Sequence, residues 1–464
     1  MKLDIEKAKA YSRRKYFIAL AHLAFEIILL AALMASGLAV TFKNWAEAFS
    51  NSFYIQAAFY YAFFFLYFWI FNLGFAYYSS YRVEHDFGLS NQKLGAWFID
   101  LLKKTLLSYG ITFVLFLALY FFIRRFPGTW WIWAWLAYAG FSYLAGQLFP
   151  VLIVPLFYRY GRVENEELKQ RIFKLVERYK LPLENVYSLN LSKTTKKANA
   201  MFAGLGRTKR LVLADTLIQN FTPEEIESVV AHELGHYKHR DIWFHLVFSF
   251  VTSFVSFALA FSVLNSLAPR LGYDGAGDLA AFPLLYLIFF LVGLVLHPLD
   301  NAFSRWRERE ADRFALEACG PKGFIPAMEK LAQLNLADPN PHPLIVWWFH
   351  SHPPIQKRIE MAKKFLTILL ILFLSGPAAG WTKETVEKEE SEREVSIKAL
   401  EARTYTGMKS YFLGGTSDAS AVDLPIAIEL YNDAVKFFEK REYELAREAL
   451  RDSLSYDAKN PFAH

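Results

Sequence analysis

Six stretches of this chain stay apolar for about the length a helix needs to cross ~30 Å of hydrocarbon: residues 16–39, 53–78, 105–123, 129–147, 242–264 and 281–299. A seventh run, 365–381, is shorter and follows Lys363 and Lys364, so its length fits either a span or an interfacial segment. Between the fourth and fifth runs the pattern changes. Residues 164–180 put Ile172, Leu175 and Val176 on one helical face, and 185–191, 198–205 and 210–214 read as short strands. Thr222-Pro223-Glu224-Glu225 then opens a helix, with Thr as N-cap, Pro in the first turn and Glu225 at the capping-box position. The fold class is therefore mostly α: polytopic transmembrane helices with a small α+β domain, plus a C-terminal helical tail.

The same pattern divides the chain. Residues 1–157 form a four-span membrane region, 158–241 an α+β region, 242–304 the fifth and sixth spans, and 305–364 the second part of the α+β domain. Residues 365–381 are the candidate extra span. From 382 to 464 follow a charged linker and a tail in which Ala434, Phe437, Tyr443, Ala446 and Leu450 lie near tetratricopeptide spacing, a pattern that an amphipathic helical pair fits equally. One such unit cannot bury its own face, so the tail is expected to dock on something, a protein partner included.

With 54% hydrophobic and 17% aromatic residues in 464, the chain is not an ordinary soluble globule, and the bilayer is its first partner. Lys2, Lys7, Lys9, Arg13, Arg14 and Lys15 precede an apolar run too long for a cleaved signal, which reads as a signal anchor. With Arg82, Lys93, Lys103 and Lys104 they predict a cytoplasmic N-terminus, against which Arg124 and Arg125 count. Four spans return the chain to the cytoplasm for residues 158–241. The net charge of +6 is thus a topology signal, and no nucleic-acid partner is expected. A single cysteine, Cys319, excludes an intrachain disulfide framework and a thiolate zinc cluster.

The candidate chemistry sits in His232-Glu233-Leu234-Gly235-His236. Histidines four apart share a helix face and can ligate one Zn²⁺ per chain, with Glu233 beside it as general base. A catalytic zinc needs a third protein ligand and one open position, and Glu308 supplies the ligand. Asp312, four residues on, can accept from the far nitrogen of a ligand histidine. If both helices simply continue, His236 stands ~9 Å before the fifth span and Glu308 ~13 Å after the sixth, at similar heights over the membrane. Glu310 reads as a solvated residue pairing with nearby arginines. His342 and His350 read as loop residues, His239 as interfacial, His245 as helix packing, and His22 with Glu26 as a pair facing protein or water inside the first span.

Taken together, His232 to His236, Ser304-Arg305 through Glu308 and Ala311-Asp312, and His352-Pro353-Pro354-Ile355 with Arg358 resemble the integral-membrane gluzincin peptidases. These include the type I CAAX prenyl endopeptidases and the HtpX stress peptidases. Phe87-Gly88-Leu89-Ser90-Asn91-Gln92 and Asn199-Ala200 bring the chain closer to the CAAX branch. The resemblance covers about residues 1–364. It implies a zincin domain that cleaves peptide bonds near the membrane surface, with Glu233 as base and then acid and zinc as Lewis acid. It also implies His352 as donor to the oxyanion, and Asn199, Ala200 and Arg358 as substrate-binding residues, with the peptide added as a strand at Asn199. The substrate is then a peptide or protein, prenylated or membrane-inserted, met in CAAX-type processing or membrane-protein quality control.

Two features depart from the CAAX endopeptidases: one span fewer before the zinc domain, and the added run 363–381. Localisation follows as integral to the cell membrane, or to the endoplasmic reticulum if the source is eukaryotic, with the zinc domain cytoplasmic. The alternative is a non-hydrolytic, zinc-containing membrane scaffold with a partner-binding tail. Glu233 argues against it, since a structural zinc site has no use for a base.

Overall fold

The computed structural model describes residues 4–180, 183, 185–203 and 210–375. From the N-terminus, α1 (Ile5–Ala35) is followed by the short α2 (Leu38–Phe49) and by α3 (Phe53–Tyr77). A π-helical turn (Tyr78–Arg82) leads from α3 to α4 (Val83–Asp86), and the long α5 (Leu94–Arg125) and α6 (Trp130–Leu148) complete the first membrane set. Among the described residues six helices are long and apolar enough to cross a membrane, and their cores fall on the six predicted runs. The first run ends earlier than expected. Gly37, at φ +73°, breaks the helix after Ala35, so residues 38 and 39 open α2. With 12 residues α2 is only about 18 Å long and cannot cross; it packs on α3 instead. Lys43 on α2 reaches Asp278, before the sixth span, at 2.9 Å.

A second π-helical turn (Phe149–Ile153) and α7 (Val154–Phe157) lead into the α+β half. There β1 (Tyr160–Arg162), α8 (Glu166–Arg178), β2 (Asn185–Leu189), β3 (Ala200–Ala203) and β4 (Arg210–Ala214) build one small sheet with a helix on it. The strand order is β1-β2-β4-β3, with β2 and β4 parallel and both outer pairs antiparallel. β1 has three residues, too few to show as alternation in the sequence, and β3 starts two residues later than expected. The expected end of that strand, at 205, lies outside the described residues. Central β4 is buried from Leu211 to Ala214, while β3 is an edge strand. The apolar face of α8 (Leu168, Ile172, Leu175, Val176) is buried, capped at Asn165, whose side chain accepts from Leu168 N.

After the short α9 (Asp215–Asn220), α10 (Pro223–Lys238) runs through the middle of this half, packed against α8, α12 and α13. It does not continue straight into the fifth span, as the simple extrapolation assumed. Arg240, at φ +56°, breaks the path between α10 and α11 (Asp241–Arg270). α12 (Phe282–Cys319) does continue: 38 residues give about 57 Å, nearly twice the hydrocarbon thickness. Its second half extends beyond the length a membrane needs and carries Glu308 and Asp312 into the α+β half. α13 (Pro321–Asn335), α14 (Pro343–Phe349) and α15 (Ile355–Ser375) follow. α15 takes in the first residues of the run 365–381; the rest of that run, the charged linker and the tetratricopeptide-like tail lie outside the described residues.

Candidate metal centre

The sequence opening α10 does what its residue types dictate. Thr222 Oγ1 accepts from Glu225 N at 3.3 Å, and Thr222 N donates to Glu225 Oε2 at 2.7 Å. Three turns on, the helix presents His232 and His236 side by side, with Nε2 atoms 3.2 Å apart. Glu308 on α12 closes the triangle: its Oε2 is 3.2 Å from His232 Nε2 and its Oε1 3.3 Å from His236 Nε2. Ligand atoms on a tetrahedral zinc at ~2.0–2.1 Å stand roughly 3.3–3.4 Å from one another. His232, His236 and Glu308 each offer a ligand atom within 4.8 Å of the others, a spacing that such an ion can bridge.

Behind each histidine stands an acid, and behind each acid an arginine. His232 Nδ1 lies 2.8 Å from Asp312 Oδ1, and Arg358 Nε donates to Asp312 Oδ2 at 2.8 Å. His236 Nδ1 lies 2.7 Å from Asp241 Oδ2, and Arg307 Nε donates to Asp241 Oδ1 at 2.6 Å. Both acids hold the tautomer that presents Nε2 to the metal. Asp241 escaped the sequence reading. It reaches back to His236 because the left-handed Arg240 turns the chain there, and the sequence shows only an acid before an apolar run.

The electrostatics follow from this enclosure. Burial works against a charged His236, but the hydrogen bonds to Asp241 and Glu308 outweigh it and push its pKa up to about 10. His232 is raised in the same way, burial opposing and Asp312 and Glu308 prevailing. Burial alone would raise Glu308; the hydrogen bonds from His232, His236 and His352 hold it well below the usual carboxylate range. Burial lifts the Glu233 carboxyl above its ordinary value against the pull of His232 and His236.

A cleft of about 330 Å³ brings Glu233 and His232 together with Asn199, Ala200, His352 and Arg358. Asn199 precedes β3 and Ala200 opens it, so the wall of the cleft is the edge of the sheet. His352 is 61% exposed, with Nδ1 2.8 Å from Glu308 Oε2. Its loop is tied down by Asn301 Nδ2 on Trp348 O at 2.5 Å, by Arg305 on His350 O at 2.5 Å, and by a 2.6 Å hydrogen bond between Tyr16 and His350. Arg358 also lines the cleft, yet it is buried with its guanidinium on Asp312. The other candidates lie apart from the triangle. His342 caps α14, His245 packs on Phe303, half-buried His239 offers its carbonyl to Arg307, Glu310 pairs with Arg313, and His22 meets Glu26 and Asn72 in α1 and α3.

Residues 162–366 match the family model described as peptidase family M48, and residues 2–159 match that of the CAAX prenyl protease N-terminal region with five membrane helices. A CAAX prenyl protease 1 homolog of Arabidopsis thaliana is 31% identical over 300 residues, 62% of this chain and 69% of that protein. This chain belongs to peptidase family M48. The Bacillus subtilis metalloprotease YhfN is 29% identical over 384 residues, 78% of this chain and 86% of that one. The crystal structure of Ste24p from S. mikatae superposes with a TM-score of 0.69 at 25% identity, covering 77% of this chain and 87% of that one. The M48 chain is an integral-membrane metalloprotease, which sets the scaffold alternative aside. Among the described residues up to 157, four helices are long and apolar enough to span, where the family description names five.

Proposed function

We propose that this M48 protein is a zinc endopeptidase whose site faces the cytoplasm and cuts an extended peptide close to the membrane surface. The observation that carries the reading is the convergence of His232 Nε2 and His236 Nε2, 3.2 Å apart, on the Glu308 carboxylate, which reaches one with each oxygen at 3.2 and 3.3 Å, with Glu233 in the same cleft. Zinc held by those three residues supplies a Lewis acid. Glu233, half-buried and next to both histidines, takes the proton of the attacking water and returns it to the leaving amine. His352, on its tethered loop, donates to the oxygen of the scissile carbonyl as charge builds there. Asn199 and Ala200 offer the free edge of β3, where main-chain hydrogen bonds hold the peptide as an added strand. Arg358 bounds the same cleft through its contact with Asp312.

The cytoplasmic placement rests on the charges that flank the first spans, Lys7, Lys9, Arg13, Arg14 and Lys15 before α1 crosses and Arg82, Lys93, Lys103 and Lys104 after α3. For the substrate, the CAAX prenyl protease relatives favour processing of prenylated C-termini, and membrane-protein quality control is the second reading. Dependence of cleavage on the lipid separates the two: a prenylated peptide cut far faster than its unmodified form supports the first.

The reading is tested by zinc content together with hydrolysis of a quenched peptide by detergent-purified wild type and Glu233→Gln. About one zinc per chain in both, with cleavage reduced by several orders of magnitude in the variant, is expected. Near wild-type cleavage by Glu233→Gln sinks the proposal.

A further inference from the structure

A second charged cluster lies away from the metal centre. On α4 the Glu84 side chain, 14% exposed, accepts from Tyr11 OH at 2.7 Å and Lys15 Nζ at 3.1 Å through Oε1, and from Lys197 Nζ at 2.9 Å through Oε2. Lys197 Nζ also donates to Tyr11 OH at 2.9 Å and sits over the Tyr11 ring. Tyr11 and Lys15 belong to α1 and Glu84 follows α3, whereas Lys197 stands two residues before Asn199 at the cleft. The cluster therefore joins the cytoplasmic ends of two membrane helices to the start of the edge strand.

The backbone repeats the connection. Glu84 O accepts from Leu89 N at 2.8 Å, Leu89 O accepts from Lys196 N at 2.9 Å, and Asn91 N donates to Thr194 O at 3.0 Å. From the peptidase half, Thr216 Oγ1 donates to Lys197 O at 2.8 Å and Asn335 Oδ1 accepts from Ala198 N at 3.1 Å. Residues 194–198 are thus gripped from both halves, immediately before the strand whose free edge lines the cleft. Without Glu84 the ammonium groups of Lys15 and Lys197 would face each other with no anion between them, a repulsion that displaces whichever is freer to move.

We infer that Glu84, acting through Tyr11 and Lys197, is a positioning residue that sets the height and register of the β3 edge for the incoming peptide. The membrane helices thereby take part in peptide alignment without touching the peptide. This rests on the reading of β3 as the peptide-pairing edge.

The experiment compares a cleavable peptide with versions N-methylated at each backbone amide in turn, a change that removes one strand hydrogen bond at a time. Wild type is expected to lose about tenfold in kcat/KM at the amides that pair with β3, on the scale of a main-chain hydrogen bond. Glu84→Ala and Lys197→Met should retain their metal, lose about tenfold on the unmodified peptide, and discriminate little against the N-methylated ones. A fall in the amount of active enzyme would lower both rates and leave their ratio untouched, so the ratio reports alignment. Lys197→Arg, which keeps the cation, should restore the wild-type ratio. If Glu84→Ala does not fold, Tyr11→Phe removes only the bridging hydroxyl and should shrink the ratio partway. Wild-type ratios in these variants overturn the inference while leaving the edge-strand reading intact. Indifference of wild type to N-methylation overturns the edge-strand reading and the inference with it.

Discussion

Gly235 on α10 lies directly against the backbone of Ala311 on α12: a Cβ at Gly235 would stand 2.9 Å from Ala311 Cα, 3.1 Å from its carbonyl oxygen and 3.2 Å from Phe314 Cβ. Two of those neighbours are helix backbone, which cannot swing aside, so any larger residue moves one helix away from the other. The two helices carry all three metal donors, and the close approach is what lets Glu308 reach both histidines. Gly235→Ala is expected to cost about 1–3 kcal/mol in strain and to lower metal affinity at least tenfold. Thermal unfolding and metal retained after dialysis against a chelator check this; full retention would mean that Glu308 does not depend on the helix spacing.

Asp241 and Asp312 hold the far nitrogens of the two histidines at 2.7 and 2.8 Å. Replacing a partner of this kind costs 10–100-fold in metal affinity in comparable sites. Asp241→Asn should therefore bind zinc about 10–100-fold more weakly and regain activity at raised zinc concentration, and it should also unfold at a lower temperature, because it leaves the buried Arg307 guanidinium without its anion. Activity titrated against free zinc reads this out. A variant that is inactive at saturating zinc would place Asp241 in the reaction and not behind the ligand.

The features that were visible in the sequence are those with a local signature. The six spans, the capping box at Thr222, the apolar face of α8 and the pairing of His232 with His236 on one face each need only a short window of residues. The role of Asp241 needs the left-handed turn at Arg240, and the φ angle of an arginine before a span is not written in hydrophobic period. The three-residue β1 and the early end of α1 at Gly37 failed for the same reason, since each is a backbone event of one to three residues. The contact of Lys197 with Glu84 spans more than a hundred positions and becomes legible only once α1, α4 and β3 are brought together.

Cys319, at the end of α12 in the peptidase half, lies with its thiol against the carbonyl of Glu227. Burial, with a further push from the Glu227 carboxylate, raises its pKa to about 12. The thiolate is the reactive form, and at pH 8 a thiol with that pKa is ionised to only ~10⁻⁴. The folded protein should stay unlabelled by iodoacetamide at pH 8 and gain one adduct per chain on denaturation, as mass spectrometry can count. Rapid labelling of the folded chain would show that this end of α12 opens. Raising the pH toward 12 before unfolding should increase labelling, because deprotonation then becomes favourable.

Arg358 is the residue whose two readings the structure sets most directly against each other. It lines the cleft, as a substrate contact must, but it is buried at 8% exposure with its guanidinium on the fully buried Asp312. Removing one member of a buried ion pair strands the other and costs about 3–5 kcal/mol, whereas losing a cleft contact raises KM and leaves folding alone. Arg358→Met should therefore lower the unfolding temperature by several degrees and weaken zinc binding through His232, which shares Asp312. The double variant Arg358→Met with Asp312→Asn should unfold at a higher temperature than Arg358→Met, since no carboxylate is then left unpaired in the interior. Unchanged unfolding temperature and zinc content with a raised KM would assign Arg358 to the peptide. A cost that the second substitution relieves assigns it to the support of the metal site.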